Sequence, residues 1–164
     1  LPGQAYHITQ RGTSRQRVFF TDSDRSTYLR LMAKNLEDAG VRVLGWCLMR
    51  NHVHLIVVPD REDSLAVLMR RVHGRFAQMV NARLLRSGHL WQNRFFCCAL
   101  SPSHLRRALV YGERNPVRAG LVARPEDYKW SSAAAHLGLV KQYESALFVM
   151  KFESLAIHHR PNKD

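Results

Sequence analysis

The stretch Asn51-His52-Val53-His54-Leu55-Ile56-Val57-Val58 constrains this chain more than any other. Side chains alternate along a strand, so His52 and His54 point to one face and Val53, Leu55 and Val57 to the other. An apolar face needs cover, which implies helices packed on that side. A histidine pair in mid-strand needs a polar reason to be there, and two imidazoles side by side can converge on a metal ion. The segment therefore reads as a central strand with one face in the core and the other carrying chemistry.

The flanking pattern supplies the rest of a fold. Tyr6-His7-Ile8-Thr9 reads as a first strand ended by Arg11-Gly12. A helix capped by Asp22 or Ser23 runs to Ala39 and stops at Gly40, with Tyr28, Leu31, Met32 and Leu36 on its core face. Val41 to Leu48 is a second strand and His52 to Val58 a third. Leu65, Leu68, Met69, Val72, Phe76, Met79 and Val80 recur at helical spacing in a long helix opened by Asp63 or Ser64 and ended at Ser87-Gly88. A fourth strand is expected over Arg94 to Leu100. Ser101-Pro102 then starts an additional helix that should end before Pro116. Strand, helix, strand, strand, helix, strand is the split βαβ order, so the fold class is α+β. A ferredoxin-like antiparallel sheet is expected, with the histidine pair on its central strand and an extra C-terminal helix. Residues 1–140 are read as one domain; 141–164 carry no firm pattern and are expected to form a tail or a final helix.

Charge narrows the partner. The 164 residues include 25 Lys and Arg against 13 Asp and Glu, a formal charge of +12. Lys34, Lys129, Lys141, Lys151 and Lys163 are the lysines, and the other basic residues are arginines, whose planar fork matches phosphate oxygens. A polyanion, and nucleic acid first among them, is the natural partner. No apolar run is long enough to span a bilayer, no secretory signal is visible, and a cytoplasmic, nucleoid-associated protein is expected. Cys47, Cys97 and Cys98 offer neither a CxxC pair nor an even count, so a disulfide framework and a cysteine zinc site are not suggested; buried reduced thiols are expected.

Two histidines leave a metal site incomplete. In Tyr111-Gly112-Glu113-Arg114-Asn115, a helix persisting to Asn115 would set Tyr111 and Asn115 one turn apart on one face. Asn115 is then a candidate third ligand beside an attacking tyrosine, and Glu113, a harder donor on another face, is its rival. His7 could also face the site, although a structural role is expected for it.

Several stretches together resemble the REP-associated tyrosine transposases, a branch of the single-tyrosine HUH transposases. They are Tyr6 to Gly12, Leu48-Met49-Arg50-Asn51-His52-Val53-His54-Leu55, Leu90-Trp91-Gln92-Asn93-Arg94-Phe95, Tyr111 to Val122, and Tyr128-Lys129-Trp130-Ser131-Ser132. In order and spacing they run from Tyr6 to about Gly138. The resemblance implies a divalent metal, Mg²⁺ or Mn²⁺, held by His52 and His54, and Tyr111 as the nucleophile. It also implies a 5′-phosphotyrosine intermediate and a substrate of single-stranded DNA, a hairpin from a repeated palindrome. Ligand softness by itself also admits Zn²⁺. Many relatives carry glutamine where this chain has Asn115. A phenol titrates near ~10, so its use as a nucleophile at neutral pH calls for a neighbouring metal.

Candidates for contact with the strand are Arg11, Arg15, Arg17, Arg50, Arg94, Arg114 and Arg118, with Trp91 and Phe95 as stacking surfaces. A monomer is favoured over a homodimer. The rival readings are a non-catalytic nucleic-acid-binding module and a metal-dependent nuclease using water. Against the first, the central strand offers histidines where an RNA-recognition sheet offers aromatics.

Overall fold

The computed structural model describes residues 1–139, and the tail or helix expected over 141–164 lies outside them. Strands and α-helices follow among these residues in the order β1 (Tyr6–Arg11), α1 (Asp22–Ala39), β2 (Val41–Leu48), β3 (His52–Pro59), α2 (Ser64–Arg83), β4 (Phe96–Ala99), α3 (Pro102–Glu113), α4 (Asn115–Arg118) and α5 (Ala133–His136). One sheet runs in the order β2-β3-β1-β4, and all its pairs are antiparallel. This is the expected ferredoxin-like arrangement with β3 inside the sheet.

The two faces of the sheet differ as the alternation along β3 requires. Val53, Leu55 and Val57 join Ile8 of β1 in a core with Tyr28, Leu29 and Met32 of α1 and Leu68, Val72 and Phe76 of α2. Ile56 and Val58, on the opposite face, pack in a smaller cluster with Leu44 of β2 and Leu109 of α3. Helix α3 comes close over β2 at Gly45, where any Cβ would lie 2.5 Å from the Leu109 side chain.

Local corrections have local causes. Helix α1 is capped by Thr21, one residue before the expected Asp22 or Ser23. Thr21 is extended (φ −132°) and accepts from the Asp24 amide, while the Asp24 carboxylate accepts from the Thr21 amide, a reciprocal capping box. Burial pushes the Asp24 carboxyl up, but Arg83 of α2 and the amides of Thr21 and Phe20 more than offset it and hold it below the usual range. Helix α2 ends at Arg83, short of Ser87-Gly88, since Leu85 takes a left-handed φ of 51°. Strand β4 spans only Phe96–Ala99, because Asn93 is also left-handed (φ 46°) and the ladder with β1 begins at Thr9 and Phe96. Of the cysteines only Cys47 is buried. Cys97 and Cys98 lie exposed on β4, an edge strand with no helix over it.

The Tyr128–Ser132 segment lies along the outer edge of β2. The Leu48 amide donates to the Trp130 carbonyl (2.9 Å), the Ser132 amide to the Trp46 carbonyl (3.0 Å), and the Tyr128 hydroxyl to the Leu48 carbonyl (2.8 Å). An otherwise open edge is thereby paired.

Candidate active site

Antiparallel pairing of β1 with β3 sets Thr9 opposite His54 and Arg11 opposite His52. His7, Thr9 and Arg11 share a face by alternation, so β1 contributes a polar row beside the histidine pair. The rings of His52 and His54 are 4.9 Å apart. His7 Nε2 lies 2.9 Å from His54 Nδ1, and the Thr9 hydroxyl 3.4 Å from the same nitrogen. His52 Nδ1 lies 2.7 Å from Asn51 Oδ1, an acceptor that fixes the proton on that nitrogen. With a hydrogen on each Nδ1, both imidazoles keep the Nε2 lone pair for a ligand, the arrangement in which outer partners orient metal-binding histidines.

Electrostatics keep these rings neutral. Burial, followed by the charge of Arg11, lowers the His52 imidazole to about 4. Burial, followed by His52, His7 and Arg11, lowers His54 to about 3. Burial lowers His7 as well. At neutral pH all three are uncharged.

Helix α3 brings Tyr111 over this row. Its ring lies 6.0 Å from that of His54 and 6.4 Å from that of His7, and 46% of the residue remains exposed. Arg118 of α4 stands over the other side of the phenol, its guanidinium carbon 4.9 Å from the ring centroid. An open cleft of about 440 Å³ is bounded by His7, His54, Tyr111, Arg11, Arg94 and Phe96.

The remaining residues singled out in the sequence separate into groups. Arg11 and Arg94 line the cleft with Tyr111 and His54, whereas Arg114 and Arg118 line a second groove on the other side of Tyr111. Arg15, Arg17 and Arg50 are exposed, on the loops after β1 and β2, outside the cleft. Trp91 is in the core, where its indole N–H donates to the His73 carbonyl (3.1 Å). It is therefore a packing residue and not a platform for a base. Besides Tyr111, the exposed aromatic at the cleft is Phe96, with Gln92 and Asn93 in the same lining. Sequence reasoning missed Phe96. The alternation Phe95 partly buried, Phe96 open was the available signal, but it required the strand start to be placed correctly. His7 does face the site, and its signal was the two-residue spacing of His7, Thr9 and Arg11 along β1.

Asn115 begins α4 after a break at Arg114, and its amide donates to the Tyr111 carbonyl (3.1 Å). Glu113 is engaged by other partners. It accepts from the Ser132 hydroxyl (2.6 Å) and bonds the ring Nδ1 of His136, whose Nε2 lies 3.0 Å from the Leu44 carbonyl. That network occupies the rival ligand. Among the described residues no group of three or more His, Cys, Asp and Glu is placed to hold a metal ion. Two neutral imidazoles side by side fit a divalent ion that keeps coordination positions open to a substrate phosphate.

Among the described residues no helix is long and apolar enough to cross a membrane. A family profile described as "Transposase IS200 like" matches residues 2–115. Among solved structures, the chain is similar to a REP-associated tyrosine transposase described as bound to a REP hairpin. The TM-score is 0.72 at 21% identity, over 86% of this chain and 84% of that one. A transposase candidate of Deinococcus radiodurans R1 gives a TM-score of 0.49 at 16% identity, over 65% of this chain and 85% of that one. No curated protein sequence matches. The family match covers the whole sheet, both core helices and the tyrosine helix, so the chain belongs to the IS200-like transposases.

Proposed function

We propose that this transposase cleaves and rejoins single-stranded DNA through a covalent tyrosine ester, with Tyr111 as nucleophile and His52 and His54 as metal ligands. The observation that carries this reading is the position of Tyr111, a half-exposed phenol across the cleft from His54 and between Arg11 and Arg94 on one side and Arg118 on the other. A core tyrosine would not stand there. The solved structure described as bound to a REP hairpin supports a hairpin as the first substrate to try.

The residues divide the work. His52 and His54 would hold a divalent cation, Mg²⁺ or Mn²⁺, with the Asn115 side-chain oxygen as third donor, since its nitrogen is tied to the helix. Such an ion, when bound, neutralises charge on the non-bridging phosphate oxygens. His7 and Asn51 hold the two imidazoles in register. Arg11 and Arg94 draw the phosphodiester into the cleft. The Tyr111 oxygen attacks phosphorus in line, a bond to the tyrosine forms, and the bond to the 3′ oxygen breaks. The phenol proton passes to solvent in the open cleft, and the departing 3′ oxygen takes a proton from solvent to leave as a hydroxyl. The phosphodiester energy is kept in the 5′-phosphotyrosine, so a different 3′-hydroxyl can reverse the step without a nucleotide cofactor.

The test is a labelled single-stranded hairpin incubated with protein and Mg²⁺ or Mn²⁺, resolved on a denaturing gel with and without protease. A protease-sensitive adduct that requires the metal and vanishes in Tyr111→Phe and in His54→Ala is the expected result. Cleavage that survives Tyr111→Phe with no adduct would replace this reading by hydrolysis with water. Binding without cleavage in the native chain would make it a DNA-binding module.

A further inference from the structure

Tyr111 borders two basic depressions. One is the cleft described above. The other, about 460 Å³, runs along the outer side of α3 and α4 and is bounded by Arg106, Arg107, Val110, Tyr111, Arg114 and Arg118. Tyr111 is the one residue common to both linings. The two differ in chemistry. The cleft carries the amides of Gln92 and Asn93 and the open ring of Phe96, groups that can bond or stack on bases. The outer groove offers four guanidiniums and no amide. Its four arginines are exposed, and none takes part in an ion pair among the described residues. Four unpaired like charges along one short surface repel each other, and phosphate relieves that repulsion.

A strand cut at Tyr111 has two flanks, one on each side of the scissile phosphate. Resting on the strand-cleavage reading above, we propose that the two grooves divide them: the cleft takes the flank whose bases are read, and the Arg106/Arg107/Arg114/Arg118 groove holds the other flank by its phosphates, without sequence preference. A sequence-blind groove also suits an enzyme whose intermediate must accept a different strand.

The test measures binding without cleavage. Fluorescence anisotropy of a 20-nucleotide oligothymidine is followed against salt in EDTA, for the native chain, Arg106→Ala/Arg107→Ala, and a charge-matched control, Arg30→Ala/Arg75→Ala. The control residues are exposed on α1 and α2, across the sheet. A single strand releases about 0.7 counterion per phosphate contact, so the α3 variant should lower the slope of log affinity against log salt by roughly 1 to 1.5. The control should leave the slope unchanged. A hairpin with methylphosphonates in one unpaired flank at a time then locates the loss. In the native chain neutralising either flank weakens binding. In the α3 variant one flank should become insensitive and the other stay sensitive. Equal slopes in the two variants, or equal loss from both flanks, would overturn the division. Because no step needs cleavage, a failed adduct assay with a positive flank result would sink the catalytic reading alone.

Discussion

The two faces of the sheet are made from the same strands and serve opposite ends. On the α1/α2 face, Val53, Leu55 and Val57 meet two long helices, and Phe19, Tyr28, Phe76 and Trp91 interlock at ring distances of 5.3 to 6.3 Å. On the α3 face the cover is one twelve-residue helix, whose Leu109 packs in a cluster with Leu44, Ile56, Val58 and Leu100. Beside that cover the face carries His7, Thr9, Arg11, His52 and His54, with Phe96 at the cleft. The larger core lies on the first face and the candidate site on the second, so a polar row with depressed pKa values can be tolerated next to a well-packed core.

Substitutions can break this comparison. The largest expected effect is a crossed pair. Tyr111→Phe should remove DNA cleavage altogether yet change unfolding free energy by less than about 0.5 kcal/mol, because the ring is half exposed. Phe76→Ala should cost about 3 to 5 kcal/mol in a denaturant titration, since it opens a cavity in the aromatic cluster. At temperatures where it stays folded, its cleavage rate should remain near normal. If Tyr111→Phe destabilised as much as Phe76→Ala, the faces would not be separate.

A second effect sharpens the comparison through pH. His73 is buried under α1, 3.0 Å from the Tyr28 hydroxyl, and burial lowers it to about 3. A histidine depressed in the folded state binds its proton more readily when unfolded. Its contribution is therefore intact above the unfolded value of ~6.5 and is lost as pH falls from there toward about 3. Unfolding free energy should drop by up to about 1.4 kcal/mol per pH unit for this group below pH 6. His52 and His54 act with the same sign. His73→Gln should flatten the curve between pH 6 and 4.5 without touching cleavage at pH 7.5; an unchanged curve would contradict the linkage.

The smallest effect concerns how α3 is seated. Glu113 is bonded by Ser132 and His136, which tie the tyrosine helix to the segment paired along β2. Glu113→Gln should slow cleavage by about fivefold, roughly 1 kcal/mol, with little change in DNA affinity. Equal losses in affinity and rate would mean that Glu113 contacts DNA instead.

Much of this was legible in residues, and the reasons are periodicity and punctuation. The alternation along β3 gave both faces at once, and Gly40 and Ser101-Pro102 marked helix ends that the structure keeps. What was hidden depends on pairing between distant strands. His7 became a partner of His54 through the β1–β3 register, and Trp91 went into the core because Gly12 bridges to it. Neither relation exists within a local window. Arg106 and Arg107 carry no signal within α3 alone, and only the positions of Arg114 and Arg118 across a helix break make them a groove.

The most direct measurement of the central claim is the site of the adduct. The protein is trapped on a hairpin oligonucleotide with Mn²⁺, digested with trypsin and nuclease, and read by mass spectrometry. Cleavage after Arg107 and Arg114 releases the peptide Ala108 to Arg114, which contains Tyr111 as its single tyrosine. The account predicts that this peptide carries a 5′-nucleotide on Tyr111 and that no other peptide does. A nucleotide on a different residue, or cut DNA with every tyrosine unmodified, would contradict it.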